Sequence, residues 1–398
     1  MTAVLGDEVG VGPRSQISLR SVEDSTRWFE ILSQDPEGSD TVFGLHVSGA
    51  GSFPSLLTWP KLKNLRHLEL QGIDFRDSSQ PITPFNAYFS SIDELVLEGL
   101  RFEEVDGLFA LISPFNNLVS LVIHDVEWGK DGLLDDDEAE PGSEDETHRN
   151  TMQPSDCCSI TNSGSLHPVN DSGIDLPTLK HLSLRGCSST IAKQLTQMPS
   201  KLHLSRLEIS WEDEHLFPLS EMIEACAPSL SELSISGVFH TGTCFGLEFL
   251  QLFLTPDSVS FTECDRPLSL SSCTRLSFLY LNGIHLFLDE PLGPALYHLT
   301  STLPGTKNSG HPLSINLCFT LDVGPAWASH IDDIDWDAAG TALASLESRL
   351  EEGKDHWSVT IEVDPSYLSI SEDEERRIRE ALMQKLERFS AVLQLDIR

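Results

Sequence analysis

Basic residues are scarce in this chain: 26 Lys and Arg stand against 62 Asp and Glu in 398 residues, a formal net charge of -36. A nucleic-acid binder needs a cationic footprint to displace counterions from phosphate. The one cluster of basic residues, Arg376, Arg377 and Arg379, sits inside an acidic stretch. No nucleic-acid partner is therefore expected. The negative surplus instead suits solubility and attraction of a basic partner surface.

Long apolar runs are missing as well, and the opening MTAVLGDEVGVGPRSQ has no positive stretch leading into an apolar one. No membrane partner or secretory route is expected, which points to the cytoplasm or nucleus. Paired cysteines of zinc-binding spacing are also absent. Cys157, Cys158, Cys187, Cys226, Cys244, Cys264, Cys273 and Cys318 include no Cys-x-x-Cys, so reduced, buried thiols are expected. Without a secretory context the sequon Asn170-Asp171-Ser172 has no consequence.

Catalytic signatures are lacking too. There is no Gly-x-Ser-x-Gly elbow, no His-Glu-x-x-His and no phosphate loop; Gly10-Val11-Gly12 lacks a strand-to-helix context and a following basic residue. No catalytic residue, metal or cofactor is assigned, and the chain is read as a non-enzyme. An enzyme of unrecognised type, with residues brought together from distant positions, is the alternative.

What the chain has is a recurring phrase. LKNLRHLELQGI, from Leu62 to Ile73, spaces Leu62, Leu65, Leu68 and Leu70 by three, three and two residues. The last two leucines alternate as they would along a short strand. Marked at the second strand position, copies end at Leu70, Leu97, Ile123, Leu184, Ile209, Ile235 and Leu281. The intervals are 27, 26, 61, 25, 26 and 46 residues, the two long ones reading as one repeat plus an insertion. A period near 26 holds a strand, a turn, a return segment and a loop, the pattern of leucine-rich repeats. The plainer alternative is a mixed sheet with similarly spaced strands.

The expected fold is α/β: an irregular leucine-rich-repeat-like solenoid, with a parallel sheet on one face, helices and loops on the other, and a C-terminal α/β cap. Residues 1–20 are expected to be a disordered N-terminus and 21–53 a capping unit, with a helix from Ser21 presenting Trp28, Phe29 and Leu32. Repeats fill 54–127 and 176–311, with return helices around Val105–Ile112 and Phe217–Ile223. Residues 128–175 hold nine acidic residues between Asp131 and Glu146 and then a Ser/Asn-rich tract, so a disordered acidic insertion is expected there. LEFLQLFL, at 247–254, is either a divergent repeat strand or a buried helix. In 312–398, strands SINLCFTL and WSVTIEV flank a helix bearing Trp336, Leu343 and Leu346. Ser371-Glu372-Asp373-Glu374 matches a capping box opening a second helix to about Phe389, before a last strand from Val392. Ser143 and Ser371, each followed by acidic residues, also suit an acid-directed kinase.

Residues flanking the strand leucines belong to the open face of the sheet. Partner-binding candidates on that face are His67, Glu69, Gln71, Glu98, His124, His181, Arg185, Arg206, Glu208, Phe278, Tyr280 and Asn282, with Phe278 and Tyr280 as aromatic anchors. The expected activity is non-enzymatic capture of a partner protein.

The LxxLxxLxLxG phrases resemble the repeat region of fungal F-box proteins. IDDIDWDAAGTALASLESRL is similar to the Asp-Trp helix that follows their last repeats, and ISLRSVEDSTRWFEILS resembles the segment after their F-box. The resemblance implies a second possible role, as substrate-recognition subunit of an SCF-type ubiquitin ligase partnered with its adaptor. Two departures stand out. Residues 1–40 contain no F-box match, so that module is missing or upstream. The position three after the second strand leucine, usually Asn or Cys in leucine-rich repeats, is Ile73, Leu100, Val126, Glu212, Val238 and Ile284; only Cys187 conforms. Without an asparagine ladder the solenoid is expected to be irregular.

Overall fold

A computed structural model describes residues 15–49, 62–76, 91–129, 179–186, 188–196, 202–210, 217–239, 270–285, 312–322, 331–332, 334, 336–350, 355–364 and 371–397. Twelve strands form one open, parallel sheet. In chain order they are β1 (Ser15–Leu19), β2 (Val42–Ser48), β3 (His67–Gln71), β4 (Glu94–Glu98), β5 (Ser120–His124) and β6 (His181–Arg185). They continue as β7 (Arg206–Ser210), β8 (Glu232–Phe239), β9 (Phe278–His285), β10 (Ser314–Asp322), β11 (His356–Asp364) and β12 (Leu393–Ile397). Strand order equals chain order, so each strand pairs with its predecessor. Parallel neighbours cannot be joined by a hairpin; every connection must carry the chain back to the start of the next strand.

The register follows from the leucine spacing. Leu70 pairs with Leu97, Leu97 with Ile123, Ile123 with Leu184, Leu184 with Ile209, Ile209 with Ile235 and Ile235 with Leu281. The intervals of 61 and 46 residues thus each join adjacent strands. Leu68 and Leu70, Leu95 and Leu97, and Leu121 and Ile123 are essentially inaccessible to solvent. Burying each such side chain is worth about 1.5–3 kcal/mol, and a one-residue slip would turn the whole file outward.

Helices close this apolar face. α1 (Val22–Gln34) starts on Ser21, whose Oγ accepts from Asp24 N at 3.1 Å. It contributes Leu32 to the core and packs Trp28 against it. Phe29, expected on the same side, is 36% exposed, because the buried stripe of α1 runs through Ser25 and Leu32 with only Trp28 partly buried beside it. α2 (Val105–Ile112) contributes Leu108, Phe109, Leu111 and Ile112 to the core. α3 (Ser188–Thr196) and α4 (Phe217–Cys226) lean on each other and place Ile191, Leu195, Met222 and Ile223 in the same cluster.

The turns that leave β2, β3, β4 and β5 are bonded to one another without asparagine side chains. Gly49 N donates to Gln71 O, Gly72 N to Glu98 O, Gly99 N to His124 O and Asp125 N to Arg185 O, all within 2.8–3.1 Å. Backbone N–H groups thus form the ladder themselves. The would-be asparagine positions are freed for packing: Ile73, Leu100 and Val126 are buried. Just beyond, the two-residue strands Arg101–Phe102 and Glu127–Trp128 pair, and Phe75 stacks on Phe102 at 5.1 Å.

Strand starts have their own ladder. Ser205 Oγ donates to Lys180 O at 3.1 Å, Ser231 Oγ to Ser205 O at 2.9 Å and Ser277 Oγ to Ser231 O at 3.0 Å. Each hydroxyl reaches the carbonyl that also accepts two N–H groups of the same incoming strand.

Ser15–Leu19 corrects the expected N-terminal boundary. Alternating Ile17 and Leu19 bury on the core face, so this stretch pairs with β2 as the first edge strand. In residues 312–398, β10, β11 and β12 continue the same sheet in parallel, because their apolar alternation extends the leucine files. α5 (Trp336–Arg349) buries Trp336, Leu343 and Leu346, with Trp336 Nε1 donating to Ile331 O at 2.6 Å. α6 (Glu372–Lys385) carries the expected capping box: Ser371 Oγ accepts from Glu374 N, and Glu374 Oε2 accepts from Ser371 N at 3.0 Å. It ends at Lys385, a 3-10 turn finishing the stretch to Phe389. Arg379 of α6 reaches a carbonyl of the last strand, with Nη1 3.4 Å from Leu395 O. The first fourteen residues, nearly all of the acidic insertion and LEFLQLFL lie outside the described residues.

Candidate functional site

Opposite the leucines, the sheet presents aligned rows of side chains that are polar or aromatic except at Val96 and Val122. One row runs His67, Glu94, Ser120, His181, Arg206, Glu232, Phe278 and Ser314, each the register partner of the next. The adjacent row runs His46, Glu69, Val96, Val122, Ser183, Glu208, Ser234, Tyr280, Asn316 and Ser358. Register partners in neighbouring strands lie about 5 Å apart, close enough for each row to interact along its length.

At the N-terminal end the contacts join histidines to carboxylates. His46 Nδ1 lies 3.0 Å from Glu69 Oε2, and His67 Nδ1 lies 3.0 Å from Glu94 Oε2. Gln71, Glu98, His124 and Arg185 form part of a third row across β3 to β6. Within the face His124 Nε2 is 3.2 Å from Ser183 Oγ. Arg185 turns toward Asp125, at 4.0 Å.

Ser120, His181 and Glu208 form a line that resembles a catalytic arrangement only in composition. Ser120 Oγ and His181 Nδ1 are 2.9 Å apart. His181 Nε2 stands 3.9 Å from Glu208 Oε1, beyond hydrogen-bond reach, and is buried without a hydrogen-bond partner. Burial holds the His181 imidazole below the usual histidine range, against the opposing pull of Glu208. Ser120 N and His181 N donate to Asp93 O and Val119 O, so neither is available to an oxyanion.

The face deepens over β7 to β10 into an open hollow of about 380 Å3, walled by Arg206, Glu208, Glu232, Phe278, Tyr280 and Asn316. Arg206 Nε donates to Glu208 Oε1 at 2.7 Å and stands 3.6 Å from Glu232 Oε2. On the far wall Ser358 Oγ donates to Asn316 Oδ1. Four candidates named from sequence meet here: Arg206, Glu208, Phe278 and Tyr280. His181 is the register neighbour of Arg206, while Asn282, two residues beyond Tyr280, shares the strand but does not wall the hollow.

Sequence reasoning passed over His46, Asn316 and Ser358 because their strands were assigned to terminal caps. The polar-apolar alternation of SINLCFTL carried the signal for Asn316. Among the described residues no group of three or more His, Cys, Asp or Glu is placed to hold a metal ion, and no helix is long and apolar enough to cross a membrane. No family model matches the chain, and no curated protein matches it.

Proposed function

We propose that this chain is a leucine-rich-repeat-type solenoid that binds a partner protein, without catalysis, on the polar face of its sheet. The observation that carries the proposal is the hollow over β7 to β10. It sets two aromatic side chains beside ion-paired groups on a rigid sheet, the composition of an interface anchor point. The register of the leucine phrases supports the repeat architecture, and the rows of half-buried polar side chains supply a continuous surface beyond the hollow. The free, buried Cys226 and Cys273 support a reducing compartment, the cytoplasm or nucleus.

The test is site-specific photo-crosslinking with benzoylphenylalanine at position 280, in the cell type that makes the protein. A discrete adduct that weakens several-fold with Phe278→Ala, and has no counterpart when the crosslinker is at position 377 on α6, is expected. Adducts formed equally from position 377 would overturn the assignment of the face. Probing the adducts for the ubiquitin-ligase adaptor separates a free binding module from the SCF-type receptor role.

A further inference from the structure

We infer that the hollow over β7 to β10 is a cation-recognition site for a lysine- or arginine-bearing extended segment of the partner; this rests on the binding role proposed above. Phe278 and Tyr280 stand on β9 in successive outward positions, and Glu232 is the register partner of Phe278. A cation over an aromatic ring gains from the ring quadrupole. A carboxylate one strand away, about 5 Å, adds direct charge attraction. Glu208 lies one strand further and supplies a second carboxylate.

The hollow already holds a cation of its own. Arg206 spans Glu208 and Glu232, and its side chain is 52% exposed. That guanidinium marks where a positive group is held and leaves the cluster one negative charge in surplus, one arginine against two glutamates. An incoming ammonium or guanidinium completes the neutralisation between the carboxylates and the aromatic pair. Arg206 therefore acts as an internal competitor that lowers affinity and sharpens selectivity.

Charge complementarity also selects the occupant. The whole chain carries -36, so a basic segment is drawn in at long range while an acidic one is repelled. An extended segment suits the site because the polar rows run straight across the strands. Asn316, whose Oδ1 accepts from Ser358, offers its amide nitrogen to a backbone carbonyl of such a segment.

The experiment is fluorescence anisotropy of a short labelled peptide of alternating lysine and glycine, with its glutamate counterpart as control, on the full chain at about 0.15 M salt. The lysine peptide binds and the glutamate peptide does not. Glu208→Gln with Glu232→Gln weakens binding about tenfold, as does Phe278→Leu with Tyr280→Leu. Arg206→Gln tightens it about threefold, a gain that a misfolded variant cannot produce. Glu380→Gln with Glu387→Gln, two exposed carboxylates at the C-terminal end, changes affinity less than about twofold.

No binding of the lysine peptide, equal weakening by the remote pair, or no gain from Arg206→Gln would each overturn the inference. If the peptide fails while the Phe278-dependent adduct from position 280 persists, the partner-binding face stands and only its cationic occupant falls.

Discussion

Asp125 and Gly186 sit back to back at the turns that end β5 and β6. Asp125 N donates to Arg185 O at 2.8 Å, and a Cβ built on Gly186 would lie 2.5 Å from Asp125 Oδ1 and 3.1 Å from Asp125 Cα. Both residues have left-handed backbone, with φ of 51° at Asp125 and 71° at Gly186. Aspartate tolerates that region better than most side chains do, and Gly186 provides the space for it.

Gly186→Ala is accordingly expected to cost about 2–3 kcal/mol, combining left-handed strain with a steric clash. Gly72→Ala has the same backbone sign but open space around the added methyl, and should cost only about 1 kcal/mol. Denaturant titration of the two variants checks the order. Equal losses would mean that the Asp125 contact contributes nothing.

The serine ladder should contribute modestly at each step. Ser231→Ala removes a hydroxyl donor to Ser205 O, but that carbonyl keeps Ser231 N and Glu232 N. The loss should therefore fall near the low end of a hydrogen-bond deletion, about 0.5–1 kcal/mol. A loss several times larger, read by the same titration, would show that the hydroxyl sets the strand start rather than merely decorating it.

His181 should make stability depend on pH. Its folded pKa is depressed by burial, which outweighs the opposing pull of Glu208; Arg206 adds to the depression, and Glu94 and Glu232 oppose it. The unfolded chain therefore binds the proton more readily. The stabilising contribution is complete above the unfolded value of about 6.5 and is lost as pH falls from there through the folded pKa. His181→Gln should flatten that part of the stability profile. Glu208→Gln should steepen it, because the carboxylate that favours the imidazolium is gone. A wild-type profile that rises as pH falls through this range would contradict the assignment.

Cys226 and Cys273 should behave as inert core residues. Burial pushes the Cys226 thiol up to about 12, with Cys273 adding to the shift, and pushes Cys273 up to about 11. At pH 8 the thiolate fraction of Cys226 is of order one in ten thousand. Mass spectrometry after brief treatment with a disulfide reagent should find both unmodified in the native protein and both modified in denaturant. Rapid native labelling of either would place it outside the core.

The strands and their register were legible from leucine spacing because burial of alternate side chains dominates the energetics of each strand. Leu70, Leu97, Ile123 and Leu184 align in the sheet as their phrases align in sequence. The capping box at Ser371 and the return helix at Val105 were legible for the same reason: each is a local pattern satisfied by local bonds. Phe29 was misplaced because helical spacing gives a direction but not the width of the core beneath it. The turn bonds were not legible because they join backbone to backbone across strands, and no side-chain signature marks them.

By itself the sequence determined the alternation that makes each strand two-faced, the acidic surplus, and which residues share the polar face. It did so because those properties depend on neighbours within one phrase. Only the tertiary structure decided that Arg206, Glu232, Tyr280 and Asn316 enclose one hollow. Those residues stand 26, 48 and 36 positions apart in turn, and parallel pairing across returns of unequal length converts those separations into steps of one strand.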